Sequence, residues 1–384
     1  MSVTAAQGFV AAGVQAGIKA SGRRDLALVV NTGPERICAA VYTSNRFQAA
    51  PVLWSKGVTT GGVLDAVVLN SGGANACTGP DGLADAKSTA ALVADAIGSA
   101  PGRVAVCSTG LIGVRLPMDA VAHGVTLASG ALSPDGGADA ALAIMTTDTV
   151  PKTAVATGAG WTVGGMAKGA GMLAPALATM LVVITTDAVL TSAEADAALR
   201  AATALTFDRT DSDGCMSTND TVILMASGAG GVRPDQAEFT AALTGVCGDL
   251  AMQLLKDSEG SSHDIAVNVV NAATEADALD VARCVARSNL FKCAVFGNDP
   301  NWGRVLASAG VSSADFDPNA VSVSFNGVQV FRSGALGEDR SLVDLTASRD
   351  VDVTVDLAAG AASATIWTND LTYDYVKENA EYSS

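Results

Sequence analysis

Residues 168–187 read Lys168-Gly-Ala-Gly-Met-Leu-Ala-Pro-Ala-Leu-Ala178-Thr179-Met-Leu-Val-Val-Ile-Thr-Thr-Asp187. The first half is small and flexible: Gly169 and Gly171 free the backbone, and Pro175 fixes φ. The second half, 179–184, is a short apolar, β-branched run, so a loop feeds directly into a buried strand. Thr179 at that junction holds a hydroxyl at a fixed place beside the Ala178–Thr179 peptide bond. Attack on that bond by Oγ would give an ester, and hydrolysis would leave Thr179 as a new N-terminus. A free α-amine has a pKa of roughly 7.7–8.0, so near neutral pH part of it is unprotonated and can take the proton of its own Oγ. The plainer alternative is that Thr179 only starts a strand.

Outward from this stretch, several segments combine a strand with a small-residue turn. The apolar run 64–70 opens into Asn70-Ser-Gly-Gly-Ala-Asn-Ala-Cys77, and 103–107 runs into Ser108-Thr109-Gly110-Leu-Ile-Gly113. At the second turn Gly110 lets an N–H and the Thr109 hydroxyl point at one spot, as oxyanion stabilisation requires; an ordinary turn would look the same. Residues 25–31 and 37–43, separated by Thr-Gly-Pro-Glu, read as a hairpin. Helical patterns cover 81–98, 234–255 and 275–288, and Thr191-Ser-Ala-Glu194 is a capping box ahead of another. Residues 131–139 are the best candidate for a loose surface connection.

Composition narrows the function classes. The 384 residues, 49% of them hydrophobic with mean hydropathy +0.34, suffice for two modest domains or one large α/β unit. A formal net charge of -16 argues against a nucleic-acid partner or an acidic membrane surface. There is neither a membrane-spanning run nor a signal peptide at the start, so a cytoplasmic enzyme is expected. Seven cysteines without a Cys-x-x-Cys pair read as reduced thiols, and two histidines leave little for a zinc site or a Ser-His-Asp triad. Asp211-x-Asp213-Gly214 invites a calcium loop, but Arg209 would then hold the first ligand position, which a cation cannot fill. No metal is expected. Phosphate-binding, dinucleotide-binding and serine-elbow motifs are absent from the sequence.

Lys-Gly-x-Gly-Met-x-x-Pro-x-x-Ala-Thr-Met-Leu resembles the self-cleavage and nucleophile segment of the ornithine acetyltransferase family, also called glutamate N-acetyltransferase or ArgJ. Further motifs agree: Ser108-Thr-Gly-Leu-Ile-Gly113, Met145-Thr-Thr-Asp-Thr-Val-Pro-Lys152, the loop 211–221 with Cys215 where an acid is usual, Glu259-Gly260, Gly297-Asn-Asp-Pro-Asn-Trp-Gly-Arg304, and the closing Tyr375-Val-Lys-Glu-Asn-Ala-Glu-Tyr382. The resemblance implies an α/β (α+β) layered sandwich with a smaller C-terminal α/β part from about residue 235. It implies cleavage between Ala178 and Thr179 into residues 1–178 and 179–384, which stay in one fold and pair as an α2β2 heterotetramer. Thr179 would be the nucleophile, Thr109 and Gly110 the oxyanion hole, and Thr146, Thr147, Lys168, Glu259, Asn379 and Ser384 substrate contacts. The reaction implied moves acetyl from N2-acetyl-L-ornithine to L-glutamate by a ping-pong route, without a cofactor and with acetyl-CoA left open as co-substrate. Ser261, Ser262 and His263 depart from the family pattern after Glu259, which puts the contacts beside it in question, and Arg304 either binds a carboxylate or ties loops. A self-cleaving aminopeptidase or amidohydrolase is the rival enzyme; an uncleaved amino-acid-binding protein is the rival of another class.

Overall fold

The computed structural model describes residues 2–172 and 180–381 and contains two compact units. Ala178, Thr179 and Ser384 lie outside the described residues. The larger unit takes in Met1–Asp208 and Met216–Leu254, the smaller Arg209–Cys215 and Leu255–Ser384.

In the larger unit the elements run β1 (Phe9–Val14), β2 (Leu26–Asn31), β3 (Ile37–Tyr42), α1 (Ala50–Thr59), β4 (Ala66–Ser71), α2 (Gly79–Ile97), β5 (Val104–Thr109), α3 (Met118–Gly130) and α4 (Gly137–Ala143). They continue with β6 (Lys152–Gly158), β7 (Trp161–Lys168), β8 (Leu181–Thr186), α5 (Ser192–Leu205), β9 (Thr221–Ala226) and α6 (Gln236–Lys256). One sheet has the order β1-β2-β4-β5, the other β3-β9-β8-β7-β6. Because side chains alternate along a strand, each sheet sends one set inward and one outward. Val29, Val67, Leu69 and Ala105 of the first sheet share a core with Met166, Leu181, Val183 and Ile223 of the second, so the sheets stack face to face. The outward set of the second sheet, with Val182, Ile184 and Leu224, packs on Leu199 of α5 and Phe239, Leu243 and Leu250 of α6. The outward set of the first, with Leu28, Val68 and Val106, packs on Val93 of α2 and Val121 and Val125 of α3. The layers are helix, sheet, sheet, helix. The expected layered α/β sandwich is therefore present.

Two local expectations fail. The 25–31 and 37–43 runs do not form a hairpin: β2 lies between β1 and β4, while β3 pairs with β9 in the other sheet. Asn31 manages the crossing, its Nδ2 donating to the carbonyls of Glu35 (3.0 Å) and Ala226 (3.2 Å) and its Oδ1 accepting from Gly33 N–H. Nor is 131–139 loose. Ala11 and Ser133 exchange two backbone hydrogen bonds of 3.0 Å, and a Cβ on Gly136 would lie 1.8 Å from Ala11 O, so glycine is required for that approach.

The smaller unit holds β10 (Asp264–Ala272), α7 (Glu275–Ala286), α8 (Asn289–Phe296), α9 (Trp302–Ala309), β11 (Ser322–Phe325), β12 (Val328–Arg332), β13 (Ala335–Leu336), β14 (Asp350–Asp356), β15 (Ala362–Asn369) and α10 (Tyr373–Glu381). Its sheet, β13-β12-β11-β14-β10-β15, buries one face under α7 through Val267, Val353, Ile366, Val281 and Val285. Helix α6 packs with the larger unit through Leu254, so the smaller one resumes only at Leu255. Among the described residues no helix is long and apolar enough to cross a membrane.

Candidate active site

Strands β4 and β5 are parallel, with Ser71 opposite Thr109, and both stop where glycines follow. Gly110 has φ +131°, and a Cβ there would sit 2.5 Å from Gly73 N and 2.6 Å from Gly72 C. Only glycine allows the two chain ends to lie that close. Thr109 is buried at this corner, and its Oγ1 accepts a 3.1 Å hydrogen bond from Nζ of Lys168, the last residue of β7. A hydroxyl that accepts from an ammonium keeps its own proton to donate. Asn219 stitches the corner together, its Nδ2 donating to Ala74 O (2.6 Å) and Ser108 O (2.8 Å).

Lys168 is 1% exposed and Lys152 0%, and such charges persist only when compensated. Asp148 supplies the compensation, and the sequence reading passed over it in favour of the threonines beside it. Its Oδ1 accepts from Lys152 Nζ and Gly169 N–H, both at 2.6 Å, and its Oδ2 accepts from Thr146 N–H at 2.9 Å. Burial alone would raise this carboxyl, but the Lys168 and Lys152 ammoniums and the Gly169 N–H hold it at about 2. Thr146 is thereby fixed to the charged cluster. It lines a cleft of about 1430 Å3 together with Thr147, Asp148 and Lys19. Lys19 donates to the carbonyls of Met145 (2.6 Å) and Arg24 (3.1 Å); burial lowers its pKa, and the Lys168 charge adds to this. The larger unit thus brings Thr109, Gly110, Lys168 and Thr146 to one corner, with Thr147 on the adjoining cleft.

The smaller unit carries Glu259 and Asn379. Glu259 lines a cavity of about 130 Å3 with Asp213, Arg287, Lys292 and Tyr375, where the buried Lys292 ammonium donates to Ser212 O and, at 3.3 Å, to Thr368 Oγ1. Asn379 is exposed on α10, and its Nδ2 donates to Tyr375 O of the same helix at 3.0 Å. The departure after Glu259 is absorbed by one carboxylate: Asp370 Oδ1 accepts from the N–H of Ser262 (2.9 Å) and of His263 (3.0 Å), while Oδ2 meets the Ser262 hydroxyl and, at 2.8 Å, His263 Nδ1. Arg304 donates to Leu290 O, tying α9 to the first turn of α8. Asp211 of the acidic loop accepts from Arg287 Nε at 2.6 Å and from Gly214 N–H. Among the described residues no cluster of His, Cys, Asp or Glu is placed to hold a metal ion.

The model of the ArgJ family matches residues 10–384. The chain belongs to the ArgJ family. It is 63% identical over 384 residues to the arginine biosynthesis bifunctional protein ArgJ of Streptomyces coelicolor, and 57% identical to ArgJ 1 of Streptomyces clavuligerus, each alignment covering both proteins in full. A crystal structure of ornithine acetyltransferase complexed with ornithine, from Mycobacterium tuberculosis, is 55% identical over 47% of this chain and 96% of that one, with a TM-score of 0.45. ArgJ membership bears out the acyltransferase activity and the place in arginine biosynthesis that the motifs implied.

Proposed function

We propose that this chain moves the acetyl group of N2-acetyl-L-ornithine to L-glutamate through an acetyl ester on Thr179, after cutting itself between Ala178 and Thr179. The observation that supports this most directly is the corner where Lys168 donates to Thr109 beside Gly110. An acyl-transfer intermediate carries negative charge on the former carbonyl oxygen, and a preformed group of donors next to a buried ammonium stabilises that charge at no cost of reorganisation. Thr179 Oγ attacks the acetyl carbon and its α-amine takes the Oγ proton. The amine then protonates ornithine as it leaves. Glutamate enters, loses a proton to the same amine and takes the acetyl group. Both amino acids share an α-amino acid head, so Thr146, Thr147, Lys168, Glu259, Asn379 and Ser384 serve both half-reactions. The relatives are called bifunctional, which supports acetyl-CoA as a second acyl donor. An α2β2 assembly of the two pieces in the cytoplasm completes the proposal.

The test is intact mass and N-terminal sequencing of the purified protein beside a Thr179→Ala variant, followed by product analysis. Pieces beginning at Met1 (or Ser2) and Thr179, an uncut variant, and N-acetylglutamate from acetylornithine plus glutamate are expected. An uncut but active wild type would remove the free-amine base. Free acetate in place of N-acetylglutamate would make the protein a hydrolase.

A further inference from the structure

The cleft beside Thr146 and Thr147 is larger than two amino acids need. Sites of roughly 300–1,000 Å3 hold a drug-sized ligand. This one is about 1430 Å3, because it continues past Met145 to the loop between β1 and β2, which contributes Lys19, Arg23 and Arg24 to its wall. That loop is preorganised: the buried Asp25 accepts from Ala16 N–H through Oδ1 (2.6 Å) and from Ile18 N–H (2.6 Å) and Lys19 N–H (2.8 Å) through Oδ2. Lys19 Nζ bonds to Met145 O, so the basic loop adjoins the two threonines.

The positive charge on this wall is only partly matched. The carboxylates that line the cleft already have partners: Asp139 Oδ1 pairs with Arg24 Nη2 at 3.1 Å, and Asp148 Oδ1 with Lys152 Nζ at 2.6 Å. Arg23 has none. Its side chain is exposed on the cleft, its main-chain N–H donates to Ser21 Oγ, and among the described residues its guanidinium makes no hydrogen bond or ion pair. Burial lowers the pKa of Lys19 in spite of Asp25, and the Lys168 and Arg23 charges lower it further, a field that a bound anion would relieve. Opposite the charges the same cleft presents apolar surface, Leu127 of α3 (41% exposed) and Leu142 of α4 (40%).

We propose that the 19–24 loop binds the phosphate groups of acetyl-CoA, with Arg23 as the principal ligand and Lys19 beside it, while Leu127 and Leu142 receive the apolar part of the molecule. The inference rests on the reading of acetyl-CoA as second acyl donor. A guanidinium presents donors in a fork that fits phosphate oxygens two at a time. A chain of net charge -16 repels a polyanion, so such a ligand needs a local patch of opposite sign at its entry. Neither acetylornithine nor glutamate carries a phosphate, and use of both donors accounts for the size of the cleft as well as for its basic wall.

The test compares the full-length wild type with Arg23→Glu, by calorimetric titration with CoA and with inorganic pyrophosphate and by kcat/KM for acetyl-CoA, S-acetylpantetheine and acetylornithine, glutamate being the acceptor. Losing a hydrogen-bonded charge pair and reversing its sign should weaken CoA binding by about tenfold or more. The ratio of kcat/KM for acetyl-CoA to that for acetylornithine should fall by the same factor. S-acetylpantetheine, which has no phosphate, should show no such fall. A folded Arg23→Glu that binds CoA within about twofold of wild type overturns the proposal. So does pyrophosphate binding as tightly as CoA, which would make the loop a general anion site. Should Arg23→Glu fail to fold, Arg23→Gln is read in the same way. A wild type that binds CoA through Arg23 yet makes no N-acetylglutamate from acetyl-CoA supports the binding loop and is instead a failure of the second-donor reading.

Discussion

Replacing Gly110 with alanine separates a turn that is merely tight from one built for chemistry. At φ +131° a side chain is strained, which costs about 1–3 kcal/mol. The added Cβ would also meet backbone atoms of Gly72 and Gly73 at 2.5–2.6 Å, and since backbone cannot swing away as a side-chain tip can, the 109–110 segment must shift. Displacing one oxyanion donor typically costs about 2.7–4 kcal/mol of transition-state stabilisation, or about 10²–10³ in kcat. The expected result for Gly110→Ala is a kcat lower by about that factor with KM little changed. Gly113 is the control: it also has positive φ, +83°, but nothing lies within 4 Å of its would-be Cβ. Gly113→Ala should lose about 1 kcal/mol of stability and keep its turnover. Steady-state acetyl transfer to glutamate, with urea unfolding of both variants, reads the two effects separately. If folded Gly110→Ala turned over within about threefold of wild type, the oxyanion assignment of this corner would be wrong.

Two further changes test parts of the larger unit. Asp148→Asn removes a buried carboxylate that faces the Lys152 and Lys168 ammoniums, and urea unfolding at pH 7 should show a loss of about 3–5 kcal/mol. Because the Asp148 carboxyl is held at about 2, below its unfolded value of about 3.9, its contribution is complete above pH ~4 and lost as pH falls through about 2. The acid limb of wild-type stability should therefore be shallower in the variant. Thr191→Ala removes the hydroxyl that accepts from Glu194 N–H at the start of α5, and a loss of about 1 kcal/mol in urea unfolding with unchanged kcat is expected.

The sequence revealed features whose cause is local. Thr191-Ser-Ala-Glu194 is a complete capping box in the structure because a cap needs only four consecutive residues. The turn at Thr109-Gly110 was legible because a strand followed by glycine has to turn, while its role in holding an oxyanion is what the family resemblance implies. The 25–43 hairpin failed because both strands are apolar enough to enter a buried sheet on either side, and the five residues between Asn31 and Ile37 join two sheets as readily as two neighbours. Residues 131–139 look like a loop by composition, yet Gly136 is there to admit the carbonyl of Ala11, a partner 125 residues away. Asp148 stood inside a quoted motif without a role. What distinguishes it is burial beside two lysines, which is a property of two strands at once.

The five-stranded order β3-β9-β8-β7-β6 has a consequence for the history of the molecule. The proposed cut between Ala178 and Thr179 would assign β8 and β9 to one piece and their outer neighbours, β7 and β3, to the other. The later piece is then clasped on both flanks by the earlier one, along the six paired positions from Lys168↔Leu181 to Val163↔Thr186 and the six from Ile37↔Ala226 to Tyr42↔Thr221. Such a weave is made easily by one continuous chain and poorly by two separate ones that must find each other first. Maturation would therefore act as a ratchet: the cut protein holds together at any dilution that leaves it folded, but once melted it has lost the tether that let it form.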